Sequence, residues 1–259
     1  MLILVPLAAL LCLRLSDWQF HRLDQRKAAN SLQVHNESTK AENVSTLLHP
    51  GQTDLAELQY RPVTATGTFD DSGERLVRRK ILNTKTGYYV ATPLKLNDGR
   101  WVMVNRGWIE TPDNPRANPI PPAPPSGTVT VTGRLQPSIP SDPDPADMPA
   151  GQTQTLDVTK LGALVGAQSA MLPMYIDLES STPAQGAGLT PIPLPEIDEG
   201  PHLSYALQWI AFAIMFVIGL TILVRRELKD RRLDDELDRQ EAEQADLRQE
   251  TTDPQTLVR

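Results

Sequence analysis

The longest uncharged stretch of the chain, Leu203 to Val224, holds 22 residues without a formal charge. As an α-helix it extends about 33 Å, enough to cross a hydrocarbon core of about 30 Å. It stops at Arg225-Arg226-Glu227-Leu228-Lys229-Asp230-Arg231-Arg232, where five basic residues face two acidic ones. Such a flank reads as cytoplasmic by the positive-inside tendency. The pattern predicts a transmembrane helix over 203–224 and a charged cytoplasmic tail over 225–259.

A second apolar run, Leu2 to Leu13, is 12 residues long before Arg14. A secretory signal needs a basic start and small residues at its cleavage site, and a lipoprotein signal needs a small residue before Cys12. Neither is present, so residues 1–15 read as a first transmembrane helix. On that reading apolar codons continue in frame upstream of Met1. Arg14, Arg22, Arg26 and Lys27 alone would draw their side of this helix inward. The denser 225–232 cluster takes precedence, which places both termini in the cytoplasm and residues 16–200 outside it.

Between the apolar runs the period changes from helical to two. Asp17 to Lys27 continues the first helix, and Trp18, Arg22, Gln25 and Ala29 share one of its faces. Residues 30–58 are polar with a few leucines and read as a loop or a loosely packed helix. Residues 61–69 alternate threonines with Val63, Ala65, Gly67 and Phe69, as a strand does. Arg75–Leu82, Gly87–Leu96, Arg100–Ile109, Thr128–Leu135 and Met174–Glu179 are further strands. Asn97-Asp98-Gly99 joins two of them in a hairpin, because Asp-Gly tolerates the positive φ of tight turns. Asp157 is placed to cap a short helix reaching Gly166. Residues 120–127 form an extended proline-rich connector. Ser141 to Gly151 is a loop too polar and interrupted to pack. The expected fold is thus an α+β membrane protein, two transmembrane helices flanking an extracytoplasmic mainly-β domain with its core over 60–182.

Composition narrows the function classes. The net charge of −7 and the absence of a basic stripe argue against nucleic acid. A single cysteine rules out an intramolecular disulfide and a cysteine metal cluster. Phosphate-binding glycine loops, nucleophile elbows and zinc-binding histidine pairs are missing, so an anchored enzyme is the least favoured reading. His35 and His49 lie in polar surroundings and read as solvent-facing.

His202 stands apart because of its neighbours. At about 100° per residue, His202, Tyr205, Trp209, Phe212 and Phe216 fall on one side of the second helix, with Gln208 beside Tyr205. One account is an aromatic anchor at the membrane interface. The other is a flat, apolar, metal-containing ligand lying on the stripe with His202 on its metal. Haem fits that description, since one neutral imidazole holds its iron, and Arg22, Arg26 or Arg106 would meet its propionates.

Four motifs are shared with a known family. They are Trp18-Gln19-x-x-Arg22, Gly87-Tyr88 with Thr92-Pro93-Leu94, the run from Asp98-Gly99-Arg100 through Val104-Asn105-Arg106-Gly107-Trp108, and His202-Leu203-x-Tyr205-Ala206-x-Gln208-Trp209. In this order they resemble the surfeit-locus/Shy family of cytochrome c oxidase assembly factors, from Trp18 to about Arg226. The resemblance implies an assembly factor with its domain on the outer side of an energy-conserving membrane, read as non-catalytic; with no mitochondrial transit peptide visible, a bacterial plasma membrane is expected. The resemblance also implies a role in maturing the haem-copper subunit, with haem a bound through a histidine matching His202; on that reading Tyr205, Gln208, Trp209, Trp18 and Arg22 would shape the pocket. Expected partners are the oxidase catalytic subunit, enzymes of haem a synthesis and membrane lipid. The alternative is a scaffold that binds no haem and grips an oxidase subunit through Asn105, Arg106, Gly107 and Trp108. Glu199-Gly200-Pro201 departs from the family's usual residues before the histidine and leaves its hydrogen-bond partner open.

Overall fold

The computed structural model describes residues 4–252 except 113, 115, 116, 143, 146 and 147, with side chains described as far as 242. In chain order the elements are α1 (Leu4–Glu37), β1 (Glu42–Asn43), α2 (Val44–Leu47), β2 (Pro62–Phe69), β3 (Arg75–Leu82), β4 (Lys85–Leu96), β5 (Trp101–Glu110), β6 (Val129–Pro137), β7 (Gln152–Thr153), α3 (Val158–Leu164), β8 (Met171–Thr182) and α4 (His202–Thr252). They fall into two compact units, one of residues 1–27 with 198–259 and one of residues 28–197.

The second unit is a mixed α+β fold built on one eight-stranded sheet. Its strands run in the order β1-β2-β6-β8-β5-β4-β3-β7, and β2 also pairs with β4. That extra pairing closes β2, β6, β8, β5 and β4 into a ring. The closure uses three residue pairs, Gly67↔Leu96, Thr68↔Lys95 and Phe69↔Leu94. Twelve residues make β4 long enough to serve two neighbours along one edge, β3 with its first half and β2 with its last turn of pairing. A closed ring removes the exposed edges that invite strand addition.

Period-two alternation sends one set of side chains inside the ring. Val63, Ala65, Leu94, Val104, Val131 and Ile176 are each at most 1% exposed there, and Val44 and Leu48 of the α2 segment pack against them. The opposite face of β3, β4, β5 and β8 carries Val77, Ala91, Met103 and Tyr175. Those are covered by Leu156, Val158 and Leu161 from the α3 region. The helix starts where its cap predicts: Asp157 accepts from the backbone N–H of Thr159 (3.1 Å) and Lys160 (3.2 Å).

The strands lie within two residues of their expected ends, apart from β8, which extends three residues further at each. The Asn97-Asp98-Gly99 turn is formed, with Gly99 at φ +86°. The polar stretch after residue 30, read as a loop or a loosely packed helix, is helical to Glu37, because Gln33 and Asn36 find acceptors. Gln33 donates to the Pro195 carbonyl (3.0 Å), and Asn36 donates to those of Glu57 (2.8 Å) and Gln59 (2.7 Å). One expectation is corrected: the loop over 141–151, read as unable to pack, is held by polar contacts at Asp144 and Gly151, while residues 143, 146 and 147 lie outside the described residues. Asp144 pairs with Lys160 (2.7 Å), and the Gly151 carbonyl accepts from Leu76 N–H (2.9 Å).

The first unit contains α4 and the start of α1. Among the described residues, α4 is the one helix long and apolar enough to cross a membrane. Its best window has a mean hydropathy of 2.4 and only 6% of that window is buried. The expected first span is not confirmed, since Arg14 and Asp17 follow the apolar start of α1 too soon. Within this unit the two helices touch through small residues. Ser16 Oγ donates to the Ala206 carbonyl (3.1 Å), and Cys12, Ala206 and Ala213 are buried.

Candidate functional site

The chain enters α4 through Gly200, whose φ of +68° is one that side-chain-bearing residues seldom adopt. Asp198 accepts from the Gly200 N–H (2.8 Å), and the Pro201 carbonyl takes the Tyr205 N–H (3.1 Å) as the helix begins. Proline suits this position because its missing N–H would be unsatisfied there anyway. The departure at Glu199-Gly200-Pro201 therefore provides a tight entry that sets His202 on the first turn of α4.

His202 Nδ1 lies 2.9 Å from Gln19 Oε1. With the amide oxygen accepting, the ring proton sits on Nδ1 and the lone pair on Nε2. No other described residue takes up Nε2. A half-buried imidazole with one nitrogen fixed and the other free is the arrangement of a metal ligand held by a hydrogen-bonded neighbour. Gln19 stands in the Trp18-Gln19-x-x-Arg22 motif, yet sequence reasoning did not single it out. The pairing depends on how α1 and α4 are registered, which no local pattern encodes.

The aromatic stripe divides along α4. Trp209 meets Phe212 edge-to-face, with ring centroids 5.8 Å apart at 80°. These two and Phe216 line an apolar groove of about 610 Å³ with Leu11, Cys12 and Leu15 of α1. Tyr205 is 48% exposed and Gln208 is also exposed, so they stand outside the groove. On α1, Trp18 is 52% exposed, with the Arg22 guanidinium 5.7 Å from its ring centroid. Arg22 also donates to Gln25 Oε1 (3.1 Å), which bears out the shared helical face.

Asn105, Arg106, Gly107 and Trp108 lie inside the sheet unit and not at an exposed corner. Asn105 and Arg106 are 0% exposed and Trp108 is 6%. Tyr89 faces Trp108 and Ala91 faces Asn105, so Arg106 and Gly107 together oppose one residue of β4. This is a β-bulge. Arg106 donates to Glu74 Oε2 (2.9 Å) and to the Pro122 carbonyl (2.8 Å), with its guanidinium 5.9 Å from the centre of the Phe69 ring. Burial pulls its pKa below the usual range, against the attraction of Glu74. Arg106 is thus committed internally and unavailable to a propionate. Trp108 is stapled to the proline-rich return segment by two 2.8 Å backbone bonds with Thr190.

Beside the bulge, Asn105 Nδ2 donates to Asp177 Oδ1 at 2.7 Å. Burial pushes the Asp177 carboxyl up to about 6, although the bonds from Asn105 and Gln136 and the charge of Arg134 oppose it. A folded-state pKa raised above the ordinary value of 3.8 favours the protonated acid. The associated stability is complete below about pH 4 and is lost as pH rises through about 6, with an upper bound on the order of 3 kcal/mol. Asp177→Asn accepts the Asn105 bond without titrating. The stability of wild type relative to this variant should therefore fall across pH 4 to 7 in urea unfolding. A pH-independent difference would contradict the assignment.

Compared with known proteins, residues 7–214 match the sequence profile of the SURF1 family. A SURF1-like protein of Mycobacterium bovis is 31% identical over 222 residues, spanning 84% of this chain and 79% of its own. One from Rickettsia conorii is 26% identical over 236 residues, spanning 86% and 90%. Surfeit locus protein 1 of Xenopus tropicalis is 25% identical over 235 residues, spanning 81% and 70%.

Proposed function

The chain belongs to the SURF1 family, and from that premise we propose that it is a non-catalytic assembly factor for haem-copper cytochrome c oxidase that holds haem a for the catalytic subunit. The observation that carries this reading is His202, with Nδ1 bound to Gln19 and Nε2 free at the head of the apolar helix. Nε2 is the atom that would ligate iron, and Gln19 would keep the ring in the ligating tautomer. Trp209, Phe212 and Phe216 supply the apolar surface such a cargo needs. Arg22 and Arg26 are the cations left for its propionates once Arg106 is excluded. Free haem is apolar and reactive, so a holder within the membrane would keep it out of water while it passes to the oxidase.

The membrane arrangement belongs to the same proposal. The Arg225–Arg232 cluster supports a cytoplasmic end for α4 and an outward position for the sheet unit in a bacterial plasma membrane. Close packing of Ser16 and Cys12 against α4 supports α1 as its companion in the bilayer.

The protein purified from haem a-producing cells should carry haem in its visible spectrum, and His202→Ala should lose most of it. Gln19→Leu should weaken retention about tenfold or more, as loss of a ligand-orienting partner does. Equal haem content in wild type and His202→Ala would sink the ligand assignment. Oxidase subunits that co-purify without a Soret band would replace the reading with that of a haem-free scaffold.

A further inference from the structure

A cavity of about 400 Å³ lies far from that site in sequence, within the sheet unit. It is lined by three consecutive cations, Arg78, Arg79 and Lys80, and by Met148, Gln154 and Thr155 on its other side. In a regular strand three consecutive side chains cannot face one cavity, because successive residues alternate between faces. Here β3 bulges. Its register against β4 shifts between Val77 and Lys80, and Arg79 takes φ +57°. A left-handed arginine is strained where glycine or asparagine would not be. The bulge turns the three cations together.

Among the described residues their charges are unmatched: no carboxylate there pairs with Arg78, Arg79 or Lys80. Asp144, beside the lining in sequence, gives its carboxylate to Lys160 (2.7 Å) and to the Gln154 N–H (3.2 Å). Arg78 Nη1 rests 3.4 Å from Met148 Sδ, a weak acceptor. The Lys80 ammonium lies 5.2 Å from the centre of the Tyr89 ring, and burial lowers its pKa with no opposing anion. The Thr155 hydroxyl is buried without a partner. Two guanidinium forks, an ammonium, an amide and an unused hydroxyl form a donor-rich wall.

We propose that the Arg78–Arg79–Lys80 bulge is a binding site for a phosphate-bearing ligand, with the three side chains and the Thr155 hydroxyl converging on its oxygens. Three positive charges match a phosphate monoester or diphosphate better than a single carboxylate, and guanidinium forks bind such oxygens in pairs. The apolar wall of Pro145 and Met148 leaves room for the group that carries the phosphate. This site does not depend on the haem reading.

The test titrates the full chain in dodecyl maltoside with inorganic pyrophosphate by calorimetry at low salt. Saturable binding with a Kd on the order of 100 μM is expected. Arg79→Gly should weaken it at least tenfold while leaving the ligand-free protein as stable or more so, because glycine accepts that φ. Arg78→Gln should weaken it as well. A thermal shift in mixed micelles containing phosphatidic acid, but not phosphatidylcholine, would identify a lipid headgroup as the source. A shift with pyrophosphate alone would identify a soluble phosphate. No saturation at millimolar pyrophosphate, equal affinity in wild type and Arg79→Gly, or tighter binding of oligoglutamate than of pyrophosphate would each overturn the proposal.

Discussion

Replacing Arg106 by methionine is expected to destabilise the sheet unit by about 3 kcal/mol, lowering its unfolding temperature by on the order of 10 °C. The methionine keeps the apolar stem, so the loss isolates the charge. Glu74 is the decisive partner. Its carboxylate is only 19% exposed and is held by Arg106 Nη1 and by the Thr92 hydroxyl (2.8 Å). Removing the guanidinium leaves that carboxylate and the Pro122 carbonyl short of a donor, and a half-broken buried pair costs more than the intact pair contributes. Adding Glu74→Gln to Arg106→Met should therefore recover part of the loss, because a neutral amide tolerates the site better than a lone charge. Urea unfolding of the two single variants and the double variant measures this coupling directly. If Arg106→Met unfolded within two degrees of wild type, or if the double variant were less stable than Arg106→Met alone, the pair would not be the internal tie described.

The same residues show where reading the chain succeeded and where it could not. Arg100–Ile109 alternates clearly enough to be recognised as a strand, and Asp98-Gly99 locates the turn before it. The alternation cannot say which way Asn105 and Arg106 point, because the bulge at Arg106–Gly107 resets the phase halfway along. Gly107 was the available signal, since a lone glycine inside a strand pattern marks a bulge or a close backbone approach. Its φ of +140°, and the Thr190 carbonyl 2.8 Å from where a Cβ would lie, are the physical content of that signal. The two-residue strands β1 and β7 are too short to have a period at all. The site residues divide in a similar way. The stripe from His202 to Phe216 follows from helical spacing within α4, whereas Gln19 as the partner of His202 requires two helices to be aligned. The cations at 78–80 read as ordinary strand residues until the strained Arg79 gathers them.

The ring itself was the least legible feature, and one residue tests it. Gly67→Ala should prevent the barrel from closing, at a cost of at least about 4 kcal/mol. Gly67 is where β2 is paired on both sides, with Val129 of β6 and with Leu96 of β4. A Cβ added there would fall 2.1 Å from the Lys95 carbonyl oxygen and 2.8 Å from its carbon. Both are backbone atoms in a strand already bonded to β5, so neither can swing aside as a side chain tip would. The cost is steric and not conformational, because Gly67 has no positive φ. Gly99 provides the opposite case. It sits at φ +86° with nothing within 4 Å of an added Cβ, so Gly99→Ala should cost only about 1 kcal/mol. Trp101, which pairs with Lys95 across the hairpin, reports on the same place by its fluorescence. Gly67→Ala should show red-shifted emission and rapid proteolysis of the 28–197 unit in native buffer, and Gly99→Ala should show neither. Equal stability of the two variants would mean that the β2–β4 closure does not hold this domain together.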